Sequence, residues 1–219
     1  MLRKRLFAVI FGLIFSILWS SMVLAQAVEW SGNINLFGGL KSLNKGDWSD
    51  ELVDVSLQNE YGIKIDFKQK DWPVSIAIDY LFSSKDDSGS GSGFDPSLGN
   101  FSASEDVKGE TSELNLGVRK ILDLPSPIRP FIGGGISFVS AKQKIDVSGT
   151  SSVIGSFSIS DSDTDNAVGF WVDGGVYATL AEHFNIGAEV AYSAATVTLF
   201  DESTKAGGFH YGLLAGYHW

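Results

Sequence analysis

Glu60, Lys64, Asp79, Glu113, Arg119, Asp173, Glu189 and His210 are the residues of this sequence whose types and spacing could do chemistry together. Each lies on the polar parity of a stretch in which apolar and polar residues alternate, which places it on the polar face of a β-strand. If those faces converge, acids and bases of both signs share one narrow space. One outcome is a hydrogen-bonded plug, because unpaired buried charge is expensive. The other is a narrow, gated path for water or ions, opened when the charged groups exchange partners. Catalysis is not expected. His183, His210 and His218 are the only histidines; they are followed by Phe-Asn, Tyr-Gly and Trp, and none sits in a hydrolase motif.

Two further stretches carry potential chemistry. Asp161-Ser-Asp-Thr-Asp165 clusters carboxylates as a calcium loop does, but Asn166 and Val172 stand where such a loop has its glycine and distal glutamate. A solvated acidic segment is the expectation. Ser88-Gly-Ser-Gly-Ser-Gly93 has the glycine content of a phosphate cradle, yet no helix start and no Lys-Ser/Thr follows, so it reads as flexible linker. The chain has no cysteine, hence no disulfide and no thiolate metal site, and no cofactor is expected. A net charge of −10 without a basic cluster argues against nucleic acid as a partner.

The elements that position these residues begin after an export signal. Met1-Leu-Arg-Lys-Arg5 is basic, Leu6 to Leu18 is almost wholly apolar, and Ala25-Gln26-Ala27 supplies a small-x-small cleavage site. Cleavage after Ala27 leaves 28–219 as the mature domain and, by removing Arg3, Lys4 and Arg5, lowers the charge by three to −13. The alternative is an uncleaved anchor helix over roughly 6–25, against which stand its short apolar run and the interruptions at Ser16, Ser20 and Ser21. No later stretch approaches the roughly 20 apolar residues of a membrane helix. With 25 glycines and 12% aromatics, the full chain has the ingredients of strands and turns.

Period-two alternation gives eight strands. The first, Trp30 to Lys41, sets Trp30, Gly32, Ile34 and Leu36 against Ser31, Asn33 and Asn35. The second sets Val53, Val55, Leu57, Tyr61, Ile63, Ile65 and Phe67 against Asp54, Ser56, Gln58, Glu60, Lys64 and Asp66. Strands follow around 74–82, 113–119, 130–141, 167–180 and 184–193, with Phe131, Val139 and Trp171 breaking the parity of the fifth and sixth. The eighth, Phe209 to Trp219, carries Phe209, Tyr211, Leu213, Ala215, Tyr217 and Trp219 on its apolar face. Such a strand, ending on an aromatic of the apolar face, is unusual in a water-soluble chain.

Connections alternate in length. Lys68–Pro73, Leu122–Arg129 and Ala181–His183 are short; those near 42–52, 84–109, 142–166 and 195–207 are long and polar. Short turns at one end and long loops at the other is the layout of a barrel that crosses an outer membrane. About eleven residues at roughly 3.3 Å, tilted near 40°, rise about 28 Å, enough for an apolar band about 25 Å tall. Aromatics gather at the strand ends: Trp30, Phe67, Trp72, Phe184 and Trp219 on the periplasmic side, Phe82, Phe138, Phe170 and Phe209 on the outer side. A soluble eight-stranded barrel would bury its apolar face and show charge to water. Here the polar face of the later strands is mostly Gly, Ser and Asn, which suits a cramped lumen, and the apolar face carries almost no charge. The fold expected is all-β: an eight-stranded antiparallel up-and-down transmembrane β-barrel with short periplasmic turns and long external loops.

The leader, the eight strands, the four long loops and the terminal Tyr217-x-Trp219 together resemble the small outer-membrane β-barrel superfamily, the eight-stranded barrels like outer-membrane proteins A, X and W. Arg129-Pro-Phe-Ile-Gly-Gly-Gly135 is similar to the Arg-Pro-Tyr-x-Gly-x-Gly that opens a middle strand in these proteins. The resemblance spans the mature chain and picks out no subfamily. It implies location in the cell outer membrane and contact with its lipid and lipopolysaccharide. It also implies insertion by the barrel-assembly machinery through a signal comprising Tyr211, Leu213, Tyr217 and Trp219, and a monomeric state. The role expected is structural or surface-interaction, with a narrow porin-like channel for small or hydrophobic solutes as the alternative. A lipid A-modifying barrel enzyme is the third possibility. Barrel deacylases carry a His-x-Ser pair on a lipid-facing strand, and no histidine here has it.

Overall fold

Alternating sequence becomes strand where its backbone groups find a neighbouring ladder. The computed structural model describes residues 29–219 apart from 98, 123 and 125, so the leader 1–27 lies outside the described residues. The unit Ser31–Trp219 carries the barrel. Its long strands are β1 (Trp30–Ser42), β2 (Leu57–Gln69), β3 (Ser75–Asp95), β4 (Gly99–Ile121), β5 (Ile128–Ser151), β6 (Gly155–Leu180), β7 (Phe184–Ala194) and, last, β10 (Phe209–His218). They close in the order β1-β10-β7-β6-β5-β4-β3-β2. A four-residue helix, α1 (Lys45–Trp48), and a hairpin of β8 (Thr196–Leu199) with β9 (Glu202–Lys205) stand outside the ring. The seam is antiparallel, from Asn33↔His218 to Ser42↔Phe209, so the last strand does lie against the first.

Which face is out is decided by exposure. Leu213 is 68% exposed and its neighbour Leu214 1%; Val168 is 68% exposed and Trp171 2%. Tyr61, Tyr80, Leu116, Ile136 and Ile186 share the outer face, while the charged residues of the same strands point inward and are buried. Apolar out and polar in is the arrangement of a barrel whose solvent is hydrocarbon.

The fifth and sixth strands keep parity where the sequence reading has it broken. Phe131, Val139 and Trp171 are inward and buried like the polar residues beside them. The two rings fit because glycine faces them: a Cβ on Gly175 would meet the Phe131 ring at 2.5 Å, and one on Gly133 would meet the Trp171 ring at 3.3 Å. Phe37, Leu81, Ile121, Phe131, Tyr177 and Leu214 form one apolar cluster within the lumen.

The periplasmic connections are short; the tightest, between β6 and β7, turns through Ala181 and Glu182 at φ 48° and 66°. The external connections are long, and two of them are ordered. Segments 84–109 and 142–166, read from sequence as loops, are mostly strand: β3 and β4 stay in register to Asp95↔Gly99, and β5 and β6 to Ser151↔Gly155. Ser88–Gly93 is therefore a paired strand facing Phe101–Asp106, not a flexible linker. Ser and Gly on both sides of the chain hide the alternation that marks a half-buried strand, while backbone pairing with β4 holds it regardless. Beyond the apolar band, which ends near Phe82 and Phe138, four strands thus continue outward as a sheet. About twelve residues per strand carry it about 40 Å along the strand direction.

The second strand also starts later than the alternation suggests. Val53 and Val55 precede β2 and do not join the lipid face; they are buried with Leu43, Trp48, Val107, Val197 and Leu199 in a second apolar cluster. The ladder of β2 with β3 begins at Asn59↔Ser84, and the chain before it folds over the outer mouth through a Ser49↔Asp54 bridge. Asn44 caps α1 by accepting from Gly46 N at 2.8 Å, and the Trp48 indole donates to Lys205 O at 2.8 Å. The 43–55 and 195–207 connections therefore close the mouth together.

Candidate functional site

The eight ionisable residues singled out above are all buried inside the barrel, and they fall into two groups. The central group is built on Lys64 of β2 and Arg119 of β4. Lys64 Nζ pairs with Asp79 at 3.2 Å and with Glu189, and lies 4.0 Å from Asp173. Arg119 reaches across the bore, donating to Asp79 at 2.8 Å and, through Nε, to Asp173 at 3.2 Å. Its guanidinium also lies 5.4 Å from the Phe131 ring centre and 5.7 Å from that of Trp171. These contacts tie together five strands, β2, β3 and β4 on one side of the bore and β6 and β7 on the other.

The outer group is a chain of hydrogen bonds beneath the closed mouth. His210 Nδ1 donates to the Glu60 carboxylate at 2.9 Å, and its Nε2 lies 2.9 Å from Ser193 Oγ. Ser193 donates to Glu113 at 3.0 Å, and Glu113 accepts from Lys41 Nζ at 2.6 Å. Lys41 also donates to Thr111 and to the Ala206 carbonyl, both at 2.8 Å, tying the lumen to the closing segment. Ser193, His210 and Glu60 stand in the order of a catalytic triad. The serine, however, is 1% exposed and wedged between His210 and Glu113, so it acts as a strut.

Lys41, Asp66, Ser193, Asn33 and Asn185 belong to these networks and are absent from the set read off the sequence. Asp66 approaches Arg119 at 3.6 Å and accepts from Asn33 at 2.7 Å; Asn185 in turn donates to Asn33 at 2.7 Å. The signal was present: Asn33, Lys41 and Asp66 lie on the inward parity of β1 and β2. Gly38 and Gly39 interrupt the β1 alternation before Lys41.

Not all the inward polar atoms are satisfied by protein. Asp66 Oδ2, Asp79 Oδ1, Glu113 Oε2, Asn115 Oδ1, Arg119 Nη1, Ser137 Oγ, Asp173 Oδ1 and Glu189 Oε2 are buried without a hydrogen-bond partner. Most are acceptors and can hold water between the pairs.

The four residues expected to form the assembly signal are on the outer face of the last strand and its end. Tyr217 stacks on His183, ring centres 5.3 Å apart, and meets Phe184 edge-on at 6.2 Å. Trp219 exchanges two backbone hydrogen bonds with Gly32, both 3.1 Å, and its indole covers the space that a Gly32 side chain would need. Tyr211 and Leu213 are 39% and 68% exposed.

The acidic run of β6 holds chain rather than lying free. Asp163 accepts from Phe200 N and Asp165 from Thr198 N, each at 2.8 Å, fastening the β8–β9 hairpin to the outward sheet. Hydrogen bonds from the Thr198 and Asn166 backbone amides, Thr198 first, keep the Asp165 carboxyl below its ordinary range. The His/Asp/Glu groups among the described residues form no cluster suited to a metal ion.

A closed antiparallel barrel with an apolar outer band, a charged and filled lumen, and long external connections defines an integral outer-membrane protein. The chain belongs to the outer membrane protein beta-barrel domain family, whose model matches residues 11–213, and it resides in the outer membrane. Among solved structures it is similar to Ail, the attachment invasion locus protein of Yersinia pestis, in complex with the heparin analogue sucrose octasulfate: 15% identity over 87% of this chain and 99% of that chain, TM-score 0.45. It is similar also to the outer membrane protein OprG from Pseudomonas aeruginosa, with 12% identity over 87% and 94% and a TM-score of 0.41. Neisserial surface protein A gives 10% identity over 86% and 94% and a TM-score of 0.39. No curated protein matches by sequence.

Proposed function

We propose that the barrel is an anchor and that the outward four-stranded sheet is the working surface, giving the protein a surface-interaction role without catalysis. The observation that carries this reading is the contrast between the two ends of the same strands: inside the membrane they enclose paired charges, whereas outside they build an ordered, exposed sheet. The Lys64 and Arg119 ion pairs inside the barrel, and the apolar cluster of Trp48 and Val197 at its outer end, support an anchor over a channel. Planar-bilayer recording tests this directly. The intact protein is expected to give no resolved conductance, and Glu60→Ala or Arg119→Ala to leave that unchanged; steady steps from the intact protein would transfer the function to the lumen.

The eight unsatisfied lumen atoms favour a second reading, a narrow passive path for water or small ions between the charge pairs. It predicts steps that change size in Arg119→Ala. A lipid A-modifying activity is disfavoured because the His210–Ser193 pair is inward and sealed, away from lipid. Analysis of lipid A from cells with and without the protein, showing altered acyl content, would reverse that. The barrel is monomeric in its own membrane on this reading. The leader is removed after Ala27, so that amino-terminal sequencing of the mature protein begins at Val28. Tyr211, Leu213, Tyr217 and Trp219 serve the barrel-assembly machinery.

A further inference from the structure

The outward sheet ends in two free edges. On one side, Gly155–Ser162 of β6 pairs with β5 alone. β7 joins β6 only from Phe170↔Ala194, and the β8–β9 hairpin reaches up no further than Asp163, through Phe200 N. No other strand pairs this segment among the described residues. An unpaired edge is a template for a further strand, and sheets that must avoid this carry lysine, proline or a bulge there. Gly155-Ser-Phe-Ser-Ile-Ser160 has none of these. In a chain of net charge −10, no charged residue occurs between Asp146 and Asp161. Ile159 at this edge is 64% exposed, and Val153 and Ile154 in the adjoining turn are 64% and 58% exposed. The edge of β3, Ser90–Asp95, has glycine at every second place and ends on an acid, which makes it the poorer template.

We infer that Gly155–Asp161 pairs, antiparallel, with the same segment of a second copy of this chain standing on an opposing membrane. This rests on the reading of the outward sheet as the working surface and names its partner. Two features select a second copy. First, the segment is self-complementary. With Ser158 opposite Ser158, Phe157 faces Ile159 of the second copy, an aromatic opposite a β-branched residue, which is a favourable cross-strand pair. Ser156 faces Ser160, and Asp161 falls opposite Gly155, so no two like charges meet although both copies are acidic. Second, the pairing direction fixes where the second copy stands. Copies in one membrane point the same way, and their β6 strands run parallel. Only copies facing each other across a gap bring two β6 strands together antiparallel about a two-fold axis through Ser158. Seven paired residues bury less than the roughly 800 Å² per partner of a standard interface. A single contact is therefore weak, and the many copies on two apposed surfaces make it hold.

The test uses two differently labelled cell populations, each displaying the full chain, with heat-modifiable gel migration confirming that every variant is folded. Wild-type populations are expected to co-sediment. Ser158→Lys in both populations, or Ser158→Glu in both, places like charges across the axis and is expected to reduce co-sedimentation at least about tenfold. Mixing Lys-bearing with Glu-bearing cells should restore it. Because the protein has no cysteine, Ser158→Cys supplies a single thiol. Directly opposed strand residues lie about 4.5–5.5 Å apart, within disulfide reach, so an oxidised dimer spanning the two populations is expected, while Ser92→Cys on the other edge stays monomeric. The inference is overturned if the Lys and Glu populations fail to rescue each other, or if Ser158→Cys yields no dimer between clumped cells. If wild-type cells do not clump, yet cutting back both hairpins abolishes their attachment to an epithelial monolayer, self-pairing fails and the working-surface reading stands. If cutting them back changes neither behaviour, both fail.

Discussion

Arg119 is the residue on which the charge balance of the central lumen turns. It is fully buried, donates to Asp79 and Asp173, and is flanked by Phe131 and Trp171. Replacing it with methionine leaves Lys64 as the one cation beside Asp79, Asp173 and Glu189, and breaking a buried pair in this way costs about 3–5 kcal/mol. Urea unfolding of the lipid-reconstituted barrel, followed by tryptophan fluorescence, should show that loss. Arg119→Lys, which keeps the charge but not the fork, should lose less. Equal stability of Arg119→Met and the parent would mean that the pairs contribute nothing. Asp165 gives a pH prediction outside the membrane. Its carboxyl is held below the ordinary value of 3.8 by accepting from Thr198 N, so its contribution to fastening β8–β9 is complete above about pH 4. That contribution is lost as pH falls through the lowered value. The Thr198 amide resonance should titrate with a midpoint below 3.8 and stop titrating in Asp165→Asn. A midpoint above the ordinary value would contradict the assignment.

At the scale of elements, the outward hairpins and the membrane ladder are the same strands with two different supports. Within the band, β3 to β6 are held from both faces, by lipid outside and by the lumen networks inside. Beyond it, backbone pairing carries most of the load, and the odd-numbered positions nearest the mouth, such as Val107 and Ile145, lean on the apolar cap. The distal halves should therefore be separable. Joining Ser90 to Ser104 and Ser148 to Ser158 by tight turns removes the tips at matched register positions and leaves the cap in place. Such a chain is expected to insert and migrate as a folded barrel, with urea stability unchanged within about 1 kcal/mol, as is usual for surface changes remote from a core. Failure to insert would show that the tips belong to the folding unit.

For the whole molecule, closure is the decisive event. A ring of eight strands has no free edge within the hydrocarbon, and the last bond of that ring is made by the last strand: Asn33↔His218 through Ser42↔Phe209, with Trp219 and Gly32 exchanging hydrogen bonds at the end. Deleting Trp219 removes this clasp and the side chain covering Gly32 together. The outcome expected is loss of the heat-modifiable, folded form from the membrane fraction before any loss of surface interaction in what remains. A deletion variant that assembles at parental yield would remove both the clasp and the assembly-signal role.

The sequence by itself determined the face of nearly every membrane residue, because period-two alternation can place an apolar side chain only out or only in once the strand is given. It thereby determined the number of strands, the closure of the last on the first, and the inward set from Glu60 to His210. It did not determine partners. Lys64 and Glu189 are far apart in the chain, and only the closed ring sets them across one bore, because strand stagger and side-chain length, not spacing, choose which charges meet. Parity at Phe131 and Trp171 was equally hidden, since a large inward ring is allowed only by the glycine on a neighbouring strand. The external segments were least legible. A strand with serine or glycine on both sides carries no burial pattern, and Ser88–Gly93 and Gly155–Ser160 become sheet only because their neighbours supply the ladder. The free edge that results exists in no local stretch of residues; it is a property of where the tertiary structure stops.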